Sequence, residues 1–139
     1  MAGDPASPVP QNTCQLRVRY GETDQMRVAY YAHYLNWFEV GRSSLLRELG
    51  MSYRDIEREA IFLPVVESHC RYLKPARYDD LLRITTRVSR PKGARLLFEY
   101  EIHRVPDQEL LATGNTVHVA VDDRGKPRRL PERLSRLIR

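Results

Sequence analysis

Two cysteines in 139 residues, Cys14 and Cys70, without C-x-x-C spacing, leave no thiolate metal motif and fit a reduced cytoplasmic protein. Either could be a reactive thiol, but small buried strand residues are the simpler reading. Long apolar runs are also missing, and nothing approaches the roughly 18 residues that a membrane span requires. The N-terminus has no charged-then-apolar leader, and Met1–Thr13, rich in proline and alanine, reads as a disordered lead-in. That leaves residues 14–139 as one domain. No G-x-S-x-G, P-loop or dinucleotide fingerprint occurs, so no cofactor is expected. His69, His103 and His118 lack metal-ligand spacing, and no metal is expected either.

Positive charge is what the chain has in excess: the net charge is +5 and the pI is near 9.5, which invites an anionic partner. Nucleic acid and a phosphorylated small molecule both qualify. The basic residues are spread along the chain, which argues against a nucleic-acid tract. The densest stretch, Arg124–Arg139, reads as a solvated C-terminal tail or a short helix.

Periodicity sets the architecture. Leu16, Val18 and Tyr20 alternate with Arg17 and Arg19, predicting a half-buried strand over 15–20. A polar loop follows, Gly21 to Arg27. From about Tyr31 the period changes: Tyr34, Phe38, Gly41, Leu45 and Leu49 recur at three- and four-residue intervals, with Leu35, Trp37 and Leu46 widening the stripe. Gly50 stands where a C-terminal cap is wanted, and Ser52 with Asp55 can cap a second short helix. Four more alternating segments follow, around Val65–Leu73, Leu82–Val88, Leu96–Ile102 and Leu111–Val121, separated by Pro, Gly and Asp. Short turns predict antiparallel pairing. The expected fold is α+β, a five-stranded antiparallel sheet wrapped around one long helix, the shape called a hot dog.

The segment Tyr20-Gly-Glu-Thr-Asp24-Gln-Met-Arg-Val-Ala-Tyr-Tyr31-Ala-His-Tyr34 puts a carboxylate just ahead of the long helix. Free amides at a helix N-terminus can polarise a carbonyl oxygen. A carboxylate beside such a carbonyl can attack it or activate a water. The plainer reading is that Asp24 stabilises a turn or caps the helix. Glu39 is a second carboxylate, but a lone helical Glu usually faces solvent or pairs with a base such as Arg42.

This segment, continuing to Phe38-Glu39, resembles the signature of the 4-hydroxybenzoyl-CoA thioesterase family and its Tol-Pal-associated acyl-CoA branch. The likeness extends through Phe62–Asp80 and resumes over Gly125–Pro131. The resemblance implies a hot-dog enzyme that hydrolyses acyl-coenzyme A, with Asp24 as nucleophile or general base. It also implies that the Tyr31 backbone amide polarises the thioester carbonyl and that Tyr20 shapes the pocket floor, although Tyr20 also fits a core-facing strand aromatic. Two departures stand out. Arg27 occupies the family's usual glycine position, where it could narrow the pocket, alter the turn or contact an anionic substrate. Tyr31 replaces the histidine of the Tol-Pal-associated branch; nearby His33 reads as a surface or interface residue. Coenzyme A carries phosphates, and Arg90, Lys92 and Arg95, in a turn comparable to the family's nucleotide contacts, are the groups expected to meet them.

The family resemblance further implies sheets joined edge to edge, so a homodimer or homotetramer is expected, with acyl-CoA (short- or medium-chain, or aromatic) as the partner molecule. Competing readings are a hot-dog hydratase or dehydratase, which would want a His with an acidic partner near the helix start, and a non-catalytic acyl-CoA or nucleic-acid binder.

Overall fold

The computed structural model describes residues 9–138. Strand β1 (Gln11–Arg17) leads through a 3-10 turn (Tyr20–Glu22) to helix α1 (His33–Glu48) and short helix α2 (Tyr53–Glu57). Strands β2 (Val65–Tyr72), β3 (Leu81–Ser89), β4 (Arg95–Arg104) and β5 (Glu109–Val119) follow, and helix α3 (Glu132–Leu137) ends the described chain. The five strands form one sheet in the order β1-β3-β4-β5-β2, antiparallel at every step.

One face of the sheet is the floor of the core. Leu82, Ile84, Thr86 and Val88 on β3 are buried, as are Leu96, Phe98, Tyr100 and Ile102 on β4, while the residues between them are more exposed. This is the two-residue period of a strand with one covered face. Helix α1 lies on that face with Tyr34, Trp37, Phe38, Gly41, Arg42, Leu45 and Leu46 buried, the three- and four-residue spacing of an amphipathic stripe. Phe38 stacks on Tyr100 at a centroid distance of 4.2 Å, and burying each such side chain contributes about 1.5–3 kcal/mol. Leu35, expected in the stripe, is instead 40% exposed. The helix ends in a Schellman arrangement: Gly50, at φ 91°, donates from its amide to Arg47 O, and Met51 donates to Leu46 O. Ser52 and Asp55 form the expected capping box on α2.

A polar chain crosses this apolar layer. Arg42 donates from Nε to Tyr53 Oη at 2.8 Å and from a terminal nitrogen towards Tyr100 Oη at 3.5 Å. Tyr100 Oη lies 2.6 Å from Thr116 Oγ1, which lies 2.9 Å from His118 Nε2. His118 Nδ1 is 2.9 Å from the Leu63 carbonyl. Glu39 sits at the outer end, 3.8 Å from Arg42.

Three boundaries differ from the sequence reading. Strand β1 begins at Gln11, inside the expected lead-in, because Gln11, Asn12 and Thr13 pair with Arg87, Thr86 and Thr85; residues 1–8 of that lead-in lie outside the described residues. The same strand ends at Arg17, so Tyr20 belongs to a turn and not to a strand. The C-terminal stretch does form a short helix, but it is not a solvated tail: Leu130, Leu134 and Ile138 are buried in the core. Those apolar residues outweigh the interspersed arginines in deciding where the segment lies.

Candidate active site

After the 3-10 turn the chain doubles back on itself. Thr23 bridges Ala29, Asp24 donates its amide to Val28 O at 3.0 Å, and Tyr30 donates to Glu22 O at 2.8 Å. Ala29 donates to Ala76 O at 2.8 Å, which ties this small hairpin to the loop between β2 and β3. Asp24 stands at the tip. Its carbonyl accepts from the Arg27 amide at 2.9 Å and its Oδ1 accepts from the Met26 amide at 2.8 Å, an Asx turn. Among the described residues Oδ2 accepts no hydrogen bond. The side chain is therefore oriented by one oxygen and open at the other.

Arg27 takes φ 65°, the left-handed region that favours glycine. For a residue with a Cβ this costs roughly 1–2 kcal/mol, so the arginine keeps the turn a glycine would make. Its side chain is exposed.

The hairpin runs straight into α1. Helix residues begin at His33, two positions later than the periodicity suggests, with Ala32 at the N-cap. Among the described residues, the amides of Tyr31 and Ala32 donate to no other backbone group. They are the donors that a helix start leaves free. Four tyrosines gather at this point, of which Tyr34 is buried and Tyr30, Tyr31 and Tyr72 are exposed. Tyr30 and Tyr31 lie 4.8 Å apart, and Tyr72 stands edge-on to Tyr31 at 6.3 Å and to Tyr34 at 4.9 Å. Tyr72 donates from Oη to the Tyr31 carbonyl at 3.1 Å. Burial, with neighbouring Cys70, pushes the Tyr72 phenol up to about 12, so it remains a donor. The Tyr30 hydroxyl is also raised, chiefly by its hydrogen bond to Tyr31 and least by the Asp24 charge. Tyr20 is 77% exposed and packs edge-on against Tyr78 at 5.5 Å, so it is not a core aromatic. His33 meets Tyr30 edge-on at 6.1 Å.

Sequence reasoning passed over Tyr30 and Tyr72. Tyr72 appears there only as one alternating member of a strand, and nothing local says that β2 ends beside the start of α1.

The basic turn lies elsewhere on the chain. Arg90 lines a groove of about 870 Å³ together with Ala94, Arg128, Arg129, Leu130 and Glu132. Its Nε is buried and has no partner among the described residues. Lys92 and Arg95 are exposed, joined by a hydrogen bond from the Arg95 amide to Lys92 O, but they do not line the groove. The groove thus brings Arg90 together with Arg128 and Arg129, from the stretch whose sequence reads as a solvated tail or a short helix. Among the described residues no hydrogen bond or ion pair links this groove to the Asp24 hairpin. Glu39 is exposed and paired with Arg42, as its helical position suggested.

The chain matches the Thioesterase-like superfamily over residues 18–138. It is 38% identical over 112 residues to the acyl-CoA thioesterase YbgC of Haemophilus influenzae, covering 80% of each chain. A solved DHNA-CoA thioesterase from Staphylococcus aureus is 34% identical, with a TM-score of 0.82 over 91% of this chain and 82% of that one. A 4-hydroxybenzoyl-CoA thioesterase solved with 4-hydroxybenzoyl-CoA shares the fold at TM-score 0.84 and 19% identity, covering 94% of this chain and 99% of that one. A hot-dog sheet, a carboxylate-bearing hairpin running into its helix, and a match from Val18 to Ile138 agree: this chain belongs to the thioesterase-like superfamily.

Proposed function

We propose that the chain is an acyl-CoA thioesterase, with Asp24 as nucleophile or general base and the Tyr31 backbone amide polarising the thioester carbonyl. The observation that carries the reading is the Asp24 carboxylate on a hairpin that opens into the free amides of Tyr31 and Ala32. In the general-base route Asp24 takes a proton from water as the water oxygen bonds to the carbonyl carbon. The carbonyl oxygen gathers charge under the amide, the C–S bond breaks, and the coenzyme thiolate takes up a proton. In the nucleophilic route the carboxylate bonds to the carbonyl carbon and expels the coenzyme thiolate, which takes up a proton; water then cleaves the resulting acyl anhydride to the free acid and the Asp24 carboxylate.

The names of the relatives support acyl-coenzyme A as substrate, and the tyrosines around the helix start supply ring faces for an aromatic acyl group as well as walls for a short- or medium-chain one. Tyr20 and Arg27 would border the mouth, and Arg90, Lys92 and Arg95 would meet the phosphates, joined on the groove side by Arg128 and Arg129. The chain would work in the cytoplasm as a homodimer or homotetramer. Edge strand β2 is exposed on both faces over most of its length, a surface that a second copy would cover.

The test is a pair of variants assayed by thiol release. Asp24→Asn keeps the Oδ1 acceptor of the Asx turn but neither takes up a proton nor attacks efficiently; Asp24→Ala loses both. Loss of a positioned base costs about 10²–10⁴-fold in rate, so both variants should fall in kcat by that order. A turn-stabilising role alone predicts near-normal turnover for Asp24→Asn and a destabilised Asp24→Ala, and that result would sink the mechanism.

A further inference from the structure

We infer that Glu22 is a positioning residue for this reaction, fixing the Asp24 hairpin against α1 through the indole of Trp37. The inference rests on the thioesterase reading above and concerns how its two halves are held in register. Asp24 belongs to the hairpin, while the free amides of Tyr31 and Ala32 belong to the helix start. Their separation determines whether the carboxylate and a polarised carbonyl can meet.

Glu22 joins the two bodies. It is 6% exposed. Its Oε2 accepts from Trp37 Nε1 at 3.0 Å, a bond between buried side chains fifteen residues apart. Its Oε1 accepts from the Arg19 amide at 2.8 Å, and its carbonyl accepts from Tyr30 at 2.8 Å, closing the base of the hairpin. Trp37 in turn is packed in the core against Tyr34 at 4.6 Å. Burial alone would raise the Glu22 carboxyl; hydrogen bonds from Arg19 and Trp37, with the Arg19 charge, outweigh it and hold the group below the ordinary carboxylate range. A buried carboxylate anchors well only while its donors are all in place. Both oxygens are committed inside the protein, which suits an anchor and leaves Asp24 as the open carboxylate of the hairpin.

Glu22→Gln removes one tie whichever way the amide turns, since its NH₂ end must face either Trp37 Nε1–H or the Arg19 N–H. Trp37→Phe keeps an aromatic ring and removes the donor. A displacement of about 1 Å at a reacting centre can cost of order 10²-fold, so Glu22→Gln should lose roughly 10- to 100-fold in kcat. KM should change by less than about threefold, the pattern of a lost transition-state arrangement. Where the amide turns its NH₂ end to Trp37, so that the Trp37 tie is the one lost, the Glu22→Gln/Trp37→Phe double variant should be no slower than the slower single variant. Trp37 is the chain's single tryptophan, so its fluorescence reports the tie directly: emission should shift in Glu22→Gln and stay unchanged in Asp24→Asn. Wild-type kcat in Glu22→Gln would overturn the positioning role, even if the Trp37 variant folds poorly. Assayed alongside, an inactive Asp24→Asn with a fully active Glu22→Gln removes only this inference, whereas a fully active Asp24→Asn removes the mechanism beneath it.

Discussion

His118 terminates the polar chain that crosses the core, and its protonation state follows from its neighbours. The Leu63 carbonyl only accepts, so Nδ1 carries the proton and Nε2 accepts from Thr116. Burial keeps the ring neutral near pH 7 in the folded protein, which leaves Nε2 as the acceptor. Burial is the main cause, and Arg42's charge adds to it; together they outweigh the Leu63 bond and lower the ring from an ordinary 6.5 to about 4. A histidine whose folded value is depressed stabilises the fold fully above its unfolded value, and that contribution is lost as pH falls from 6.5 towards about 4. The whole difference amounts to about 3 kcal/mol, of which about 2 should be gone between pH 7 and pH 5. The carboxylates held low, Glu22, Asp55, Asp107 and Asp122, withdraw their stabilisation at more acid pH, so this window belongs mainly to His118. Urea unfolding at the two pH values tests it. The wild type should lose stability on acidification, while His118→Gln, weaker at pH 7, should stay nearly flat. Equal wild-type stability at both values would contradict the assignment.

Among the elements, the contact of α1 with the sheet depends on Gly41. A Cβ there would collide with Thr86 Oγ1 and come within 2.8 Å of Ile84 Cγ2, both on β3. Gly→Ala in a helix interior ordinarily gains about 1 kcal/mol in propensity, whereas overpacking a filled core costs about 1–3 kcal/mol. Thr86 and Ile84 are fully buried, so Gly41→Ala should lower the thermal midpoint; a raised midpoint would show that the helix and strand give way without cost. This glycine was visible in the sequence only as a member of the apolar stripe. The stripe itself was legible because Tyr34, Phe38 and Leu45 repeat at helical spacing, as did the strands, because their alternation has one covered face. Tyr20 was misplaced because Val18 and Tyr20 continue the apolar alternation of Leu16 past the end of β1 at Arg17 and into the 3-10 turn. Arg27's left-handed backbone had no local signal, since arginine ordinarily avoids it. The place of Asp24 just ahead of the long helix was legible in the sequence, whereas the contacts of Tyr72, Arg128 and the Glu22–Trp37 pair join distant segments.

For the whole molecule, the separation of the two halves of the proposed site matters most. Within the described chain the Asp24 hairpin and the arginine groove share no hydrogen bond or ion pair, and edge strand β2 is exposed over most of its length. A thioester bound with its acyl end at Asp24 and its phosphates at Arg90 would span surfaces that one copy does not visibly join. The phosphate contribution can be isolated by comparing acyl-CoA with an acyl-pantetheine lacking the nucleotide. Replacing Arg90, Lys92 and Arg95 together by alanine should raise KM for acyl-CoA about tenfold, since exposed pairs contribute roughly 0.2–1 kcal/mol each. The acyl-pantetheine KM should stay the same, and the acyl-CoA effect should shrink with added salt, because exposed charges are screened. On the proposed reading Arg90, the one of the three that lines the groove, should account for more of the loss than exposed Lys92 or Arg95. Remote binding energy can feed into turnover, so kcat must be followed as well. Equal losses on the two substrates would remove the phosphate assignment, and an Arg90→Ala variant indistinguishable from wild type would remove the groove from the site.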